Sequence, residues 1–373
     1  MNTPEINVAI IGCGRIAGHH CRSVVDAPNT KIRAVCDLVA EKAQVYSQEF
    51  GVPYYTNYRE MLLSHPEVNL VVIATPSGMH FEHALEVLTQ FKRHVVVEKP
   101  TFMRLEQLDQ IFDTAAALEL KIFPVFQNRY NKAVQRVVRA LRDGELGKIR
   151  IMAVRVRWCR PDRYYNLAPW RGTFAQDGGA LTNQGVHHVD LLRFLGGEVG
   201  RVSCSMRTLG AAIEVEDSAV AQLEYPNGAI GLLEVTTAAR PQDFEASLSL
   251  VCENGLAQLG GIAVNELQIF TPAPEQCALH SEDFSGCVYG FGHGQTYRDI
   301  AADLRGHASY PVSRADCRNT IQLLHAFYSS AETGAWVDVA KCRDSRRLGQ
   351  PDEALADLYR LDVVGQNKVV HGG

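Results

Sequence analysis

At 373 residues the chain exceeds the size at which one hydrophobic core keeps growing, so two domains are expected, and 46% apolar residues suffice to fill both. Its 37 basic and 42 acidic residues, net charge -5, are mixed along the chain, which excludes the basic stripe that a nucleic-acid binder needs. No apolar run approaches ~18 residues and the start MNTPEINVAIIG lacks a leader pattern, so a soluble cytoplasmic protein with no membrane partner is expected.

From residue 7 to 127, short apolar runs alternate with helical patterns. NVAIIG, KIRAVCD, LVVIATP, HVVVEKP and KIFPVFQ are separated by segments such as HFEHALEVLTQ and RLEQLDQIFDTAAALEL. That alternation predicts βαβ units and a doubly wound parallel sheet. The first strand runs into Gly12-x-Gly14-x-x-Ala17, with Arg15 and Ile16 inside the turn. Glycines there let the backbone turn tightly and approach a pyrophosphate, which rests on the positive end of the following helix.

The second strand ends in Asp37, 23 residues after Gly14. A carboxylate there accepts hydrogen bonds from both adenosine ribose hydroxyls and repels a 2'-phosphate, favouring NAD over NADP. The plainer alternative is a helix N-cap. In ATPSGMH, Thr75 and Pro76 flank the same edge of the sheet, and His80 opens the next helix as a cap, a packing residue or a cofactor contact. The valines of HVVVEKP suit a strand covered on both faces, and its charges, Glu98 and Lys99, fall at the carboxyl end where open α/β sheets bind ligands.

From Ile149 the pattern changes to longer alternating strands, IRIMAVRVRW, DSAVAQLEY, AIGLLEVTTA, EASLSLVCEN and ELQIFTP. They predict an antiparallel sheet with one face partly covered. A Rossmann domain over residues 1–128 and an α+β domain over 129–373 are therefore expected, with helices near 296–306 and 314–333 in the second. The tail beyond about Arg343 is polar enough to lie on the surface. The ten cysteines, at 13, 21, 36, 159, 204, 252, 277, 287, 317 and 342, include no C-x-x-C pair. They read as reduced thiols, with no metal site.

The densest polar cluster is WRGTFAQDGGALTNQGVHHVDLLRFLGG, Trp170 to Gly197. On one helix Asn183, His187 and Asp190, at i, i+4 and i+7, share a face, whereas His188 points elsewhere and reads as structural. Oxidising a secondary alcohol requires a base within reach of the hydroxyl proton, and Lys99 and His187 are the two candidates. A partly desolvated lysine beside a cationic nicotinamide has its pKa lowered, so Lys99 can accept the proton or, when charged, stabilise an alkoxide.

GCGRIAG, Asp37, ATPSGMH, Glu98-Lys99-Pro100, NRYNKAV and GGALTNQGVHHVDLL together resemble the glucose-fructose oxidoreductase, inositol dehydrogenase and rhizopine catabolism (Gfo/Idh/MocA) family, in order and over nearly the whole chain. The resemblance implies NAD as cofactor, a sugar or cyclitol substrate, and Lys99 with His187 as the catalytic pair. It also implies a large open, mostly antiparallel C-terminal sheet that serves as a homodimer or homotetramer interface. Many relatives carry aspartate four residues before the histidine. Here Asn183 stands there, and an amide cannot relay a proton, so it is cast as a substrate-orienting group.

The N-x-G-x-H-x-x-D arrangement resembles the sugar-nucleotide 3-dehydrogenase branch. That branch oxidises C3 of UDP-N-acetylglucosamine or its uronate ahead of transamination, in lipid A or O-antigen sugar biosynthesis. The expected cofactor contacts are Gly12, Gly14, Arg15, Ile16, Asp37, Thr75, Pro76, His80, Glu98, Lys99, Gln127, Trp170 and Arg171. The expected substrate contacts are Lys99, Arg129, Tyr130, Tyr165, Asn183, His187 and, by similarity within GFGHGQTYRDI, Tyr297. The loop RPDRYYNLAPWRG either stacks a uracil and pairs with a diphosphate or packs as a connection. A free-sugar or inositol dehydrogenase, and outside redox an NAD-holding glycosidase or cofactor-sensing regulator, are the alternatives.

Overall fold

In the computed structural model, which describes residues 5–285 and 289–361, the apolar run at Ile6–Ile11 forms β1, buried along its whole length. Next come α1 (Ala17–Asp26), β2 (Thr30–Cys36), α2 (Ala40–Phe50), β3 (Tyr54–Tyr55), α3 (Tyr58–Ser64) and β4 (Leu70–Ile73). Then follow α4 (His80–Glu86), β5 (His94–Val97), α5 (Leu105–Ala117) and β6 (Ile122–Pro124). The six strands pair in parallel in the order β3-β2-β1-β4-β5-β6. Strand order reverses between β1 and β4, and their carboxyl ends carry the glycine turn and Thr75. This is a doubly wound Rossmann sheet.

The chain divides into two units. The first takes in the residues up to Val125 together with His293–Arg318 and the segment from Pro351, and the second takes in Phe126–Gly292 and Asn319–Gln350. The expected division placed everything after residue 128 in the second domain, so these late segments are a departure from it. The cause is packing: Tyr297, Ile300 and Ala301 join the same apolar cluster as Val8, Ile10, Ala17 and Cys21. They belong to the helix Gly292–Leu304, α11 in chain order. In the closing segment Arg360 pairs with Glu82 of α4 at 2.6 Å.

The second unit is built on an eight-stranded sheet. Its elements begin with α6 (Lys132–Arg142), β7 (Ile149–Arg157), α7 (Asp162–Tyr165), α8 (Ala180–Asn183), α9 (Val186–Gly196) and β8 (Arg201–Arg207). They continue with β9 (Ser218–Glu224), β10 (Ile230–Thr236), β11 (Glu245–Cys252), β12 (Leu256–Gly260), β13 (Glu266–Phe270) and α10 (Gln276–His280). The chain returns in α12 (Arg314–Thr333) and β14 (Val337–Asp338), and α13 (Glu353–Ala356) closes the described elements. The order is β13-β12-β11-β7-β10-β9-β8-β14, antiparallel except for β7 beside β10. Burial alternates along β9 and β10, with Ala221, Leu223, Leu233 and Val235 facing the packed side and Val220, Ile230 and Leu232 exposed. One face therefore packs and the other is open, as alternating strands dictate.

The nine described cysteines are free thiols, and Cys287 lies outside the described residues. No described helix is long and apolar enough to cross a membrane.

Candidate active site

The glycine turn is shaped by two different demands. Gly12 has φ +98°, and a Cβ there would lie 2.5 Å from the Ala74 carbonyl oxygen, so only glycine fits where β1 leaves the sheet against the end of β4. Gly14 is exposed, with nothing within 4 Å of where its Cβ would stand. Arg15 is exposed and Ile16 half-buried as α1 begins. Asp37 accepts the Cys13 N–H on Oδ2 at 2.8 Å and the Val39 N–H on Oδ1 at 2.9 Å. It ties the glycine turn to the end of β2, and each oxygen keeps a second lone pair for a hydroxyl.

Thr75 shares its hydroxyl with His83 Nδ1 at 3.0 Å, and Pro76 leads a short 3-10 turn, Ser77–Met79. His80 is not a surface contact. It is buried, with Nδ1 3.0 Å from the Pro100 carbonyl and Nε2 3.0 Å from the Thr75 carbonyl, and burial pushes its pKa down despite the carbonyls and Glu98. A neutral ring donates to only one of the two. His80 thus packs between the end of β4 and the turn carrying Lys99 and donates to one of them; the Lys99–Pro100 bond is cis. Glu98 is buried, with Oε1 2.9 Å from His20 Nε2, while Oε2 accepts the Lys99 N–H at 3.1 Å.

In the second unit, the segment from Asn183 to Asp190 does not form the single helix on which a shared stripe depended. α8 ends at Asn183 and α9 begins at Val186. The Ala180 carbonyl takes both the Gln184 N–H at 3.1 Å and the Gly185 N–H at 2.8 Å, tightening the turn. A Cβ on Gly185 would lie 2.9 Å from the Leu181 carbonyl oxygen.

The break sets Asn183 apart from His187 and Asp190, and the three take different partners. His187 Nε2 lies 3.1 Å from the amide nitrogen of Gln127, which follows β6 in a 3-10 turn, Gln127–Tyr130. With that amide as donor, His187 keeps its lone pair on Nε2. Asn183 donates to Asp177, which also accepts the Gly172 N–H at 2.7 Å. Arg129, expected at the substrate, grips Asp190 in a buried ion pair, Nε to Oδ2 at 2.7 Å and Nη2 to Oδ1 at 2.6 Å. Tyr130 is half-buried beside it. His188 is fully buried, edge-on to Trp158, as its structural reading requires.

The loop from Arg160 to Gly172 is a packed cluster of aromatic and cationic groups. The Arg171 guanidinium lies 4.4 Å from the Tyr164 ring centre and 4.5 Å from that of Trp170, and donates to the Tyr164 hydroxyl at 2.6 Å. Arg160 pairs with Asp243 at 2.8 Å. Tyr165 is buried, its hydroxyl 3.0 Å from Thr237 Oγ1, and burial pushes it up to about 12. Tyr297, expected at the substrate, instead sits in the core of the first unit, 1% exposed, its hydroxyl 2.8 Å from His20 Nδ1. Its place on the apolar side of α11 overrides the sequence similarity.

Sequence reasoning missed His20, Asp177 and Glu216, and it set His293, beside Tyr297, near the substrate, whereas His293 is buried next to Glu98. His20 has a local signal, since it follows the glycine turn by two positions. Asp177 stands directly before the glycine pair Gly178-Gly179. Glu216 has none. It is brought under α8 from β9's approach, where Oε1 accepts the Leu181 N–H at 3.0 Å and the Tyr328 hydroxyl at 2.9 Å.

Comparison with known proteins assigns this arrangement. The family model described as "Oxidoreductase family, NAD-binding Rossmann fold" matches residues 6–126, and that of the GFO/IDH/MocA C-terminal domain matches residues 134–258. The chain belongs to the Gfo/Idh/MocA oxidoreductase family. It is similar to the WlbA dehydrogenase of Bordetella pertussis in complex with NADH and UDP-GlcNAcA, with 33% identity and a TM-score of 0.84 over 91% of this chain and 99% of that one. The WlbA dehydrogenase of Chromobacterium violaceum is 32% identical, with a TM-score of 0.82 over 91% and 97%. D-glucoside 3-dehydrogenase of Escherichia coli K12 is 26% identical over 91% of this chain and 99% of its own length.

As a family member the protein is an oxidoreductase whose Rossmann domain binds NAD. The residues fit that cofactor. Open space over Gly14 leaves room for the pyrophosphate at the start of α1, Asp37 has lone pairs to spare for the ribose, and neither Leu38 nor Val39 offers a charge for a 2'-phosphate.

Proposed function

We propose that the protein oxidises a secondary hydroxyl of a sugar to a ketone, and that its substrate is a UDP-linked N-acetylated amino sugar, or its uronate, oxidised at C3. The observation that carries this reading is the likeness, over nine-tenths of the chain, to WlbA dehydrogenases crystallised with NADH and UDP-GlcNAcA. The sequence Asn183-x-Gly185-x-His187 and the cationic, aromatic loop with Arg171, Tyr164 and Trp170 support it, since stacked guanidinium and aromatic planes suit a nucleotide.

Bound NAD supplies the hydride acceptor, and the chain supplies the acid and base. Lys99 takes the hydroxyl proton or steadies the negative oxygen, and His187, its ring held by the Gln127 amide, serves as the partner proton carrier. The first unit holds the cofactor and the second the sugar. The open face of the eight-stranded sheet is the surface on which copies assemble.

The test is growth of NADH absorbance on mixing purified protein with NAD and UDP-N-acetylglucosamine or its uronate. Turnover by the wild type and none by Lys99→Ala is the expected result. A free-sugar dehydrogenase is the second reading, favoured by the full-length similarity to D-glucoside 3-dehydrogenase. It predicts turnover of glucosides with no dependence on a nucleotide, and that outcome replaces the UDP-sugar assignment.

A further inference from the structure

Behind the turn that carries Lys99 lies a group of buried titratable side chains, all within the first unit, to which the proposed chemistry gives no task. Glu98 is 5% exposed and His20 and His293 are 0% and 2% exposed. Each comes from a different element: Glu98 from the end of β5, His20 from α1, which leads out of the glycine turn, and His293 from α11. His20 Nε2 meets Glu98 Oε1 at 2.9 Å, and His293 Nε2 approaches the same oxygen at 3.5 Å. On its other side His20 Nδ1 is 2.8 Å from the Tyr297 hydroxyl. The His20 and His293 rings meet edge to face at 5.2 Å. The second Glu98 oxygen folds back to accept the N–H of Lys99 at 3.1 Å.

A buried carboxylate is tolerated only when donors meet its lone pairs, and here His20 meets Oε1 and the Lys99 N–H meets Oε2, while His293 Nε2 stands 3.5 Å off without a hydrogen bond. Burial works to raise the Glu98 carboxyl, but His20 and His293 outweigh it and hold the group well below the usual carboxylate range. The titratable groups that feel it are His19, His20, His80, His293 and Tyr297. The Oε2 contact is local: it fixes the peptide that begins Lys99, so what holds the carboxylate also holds the lysine's backbone.

We infer that Glu98 is a positioning residue for the oxidation: its carboxylate, held by the His20–Tyr297 pair and flanked by His293, fixes the backbone that presents the Lys99 amine. This rests on Lys99 acting on the substrate hydroxyl. The same three side chains offer ligand atoms within 4.8 Å of one another, a spacing that a divalent cation also fits. The direct His20–Glu98 hydrogen bond favours the locked carboxylate.

The variants are Glu98→Gln, which keeps the shape and removes the charge, and Tyr297→Phe, which removes one hydroxyl and is the milder change. The first measurement does not need turnover. Reductive methylation with a 13C label followed by NMR gives the titration of the Lys99 amine, assigned by its loss in Lys99→Arg. In Glu98→Gln the amine is expected to titrate at lower pH, because a neighbouring negative charge that favoured the ammonium is gone. Tyr297→Phe shifts it in the same direction by less. The second measurement is steady-state kinetics on whichever sugar the wild type oxidises: kcat falls by about 10²-fold in Glu98→Gln, with KM little changed.

An unmoved Lys99 titration in both variants overturns the inference, as does one bound zinc per chain in metal analysis of the wild type. A wild type that oxidises no sugar ends the proposed function instead and leaves the NMR titration as the deciding result for Glu98.

Discussion

The Arg129 guanidinium holds the Asp190 carboxylate by two parallel hydrogen bonds of 2.7 and 2.6 Å, with both side chains out of solvent. Thr320 donates to the same carboxylate at 3.0 Å, and Arg129 lies 4.3 Å from the Phe194 ring centre, so the pair is enclosed on every side described. Removing one partner strands the other as a buried charge. Asp190→Ala is therefore expected to lower stability by about 3–5 kcal/mol in urea titration, while Arg129→Met with Asp190→Leu recovers most of the loss. Equal losses in the single and double variants would show that the pair's packing, not its charge, dominates.

The two glycines of the cofactor turn are predicted to fail in different ways. Gly12 sits at positive φ against the Ala74 carbonyl, so Gly12→Ala strains the fold and lowers stability by about 1–3 kcal/mol. Gly14 has no neighbour to meet, so Gly14→Ala keeps the thermal unfolding midpoint of the wild type. It weakens NADH binding by about tenfold, equivalent to about 1.4 kcal/mol, by intruding on the space above the turn. Thermal scans and NADH fluorescence titrations separate the two.

Lys99→Ala and His187→Asn are expected to lower kcat by about 10²–10⁴ on the proposed substrate, the range that a positioned acid or base supplies. His187 is not among the expected cofactor contacts, so NADH binding should persist in His187→Asn. Loss of NADH binding in His187→Asn would recast His187 as structural.

The legible parts of the sequence were those written in local pattern. The buried runs at Ile6–Ile11 and His94–Val97 announced a sheet covered on both faces, and the glycine turn after β1 announced the cofactor's place. Alternation in Ser218–Glu224 and Ile230–Thr236 announced a sheet with one open side. Properties that arise from long-range packing were not legible. Helical periodicity at Gly292–Leu304 reveals a helix but not that Tyr297 joins the apolar cluster holding Val8 and Ala17, far back in the chain. Spacing puts Asn183, His187 and Asp190 on one face, but the break at Gly185 sets Asn183 apart and the arrival of Arg129 decides what Asp190 does. Glu216 stands in IEVEDS, outside any motif, and only the fold buries it.

Stability is expected to respond to pH through Glu216 and His188 in opposite senses. Burial pushes Glu216 up to about 7 from an ordinary 4.5, so the folded chain keeps a proton that the unfolded chain releases. Stability contributed by this group falls as pH rises from about 4.5 to about 7, by about 3 kcal/mol at most. Burial pushes His188 down to about 4 from 6.5, and neither of its ring nitrogens has a hydrogen-bond partner among the described residues. The unfolded chain takes up that proton first, so stability falls as pH drops from about 6.5 to about 4. Urea titrations across this range should show Glu216→Gln gaining on the wild type as pH rises, and His188→Phe gaining as it falls. A flat difference for either variant removes that group from the pH dependence.

The open face of the eight-stranded sheet carries the last prediction. Val220, Leu232, Ile230 and Ile151 are 59%, 49%, 45% and 42% exposed, and register places Ile230 directly beside Ile151 and Leu232 beside Ala153, across the parallel pair of β7 and β10. Diagonally across β9 stands Val220, whose cross-strand partner is Glu234. Apolar side chains that meet side by side on several strands form a continuous patch, unlike scattered surface leucines, and such patches mark association surfaces. The Arg157 pairs with Glu234 at 2.6 Å and Glu245 at 3.3 Å give the patch a polar margin. Wild-type protein is expected to sediment as a dimer or tetramer, and Leu232→Glu with Val220→Lys to shift it toward monomer while retaining the unfolding behaviour of the isolated units. A wild type that sediments as a monomer at high concentration would leave this face without a homo-oligomeric role.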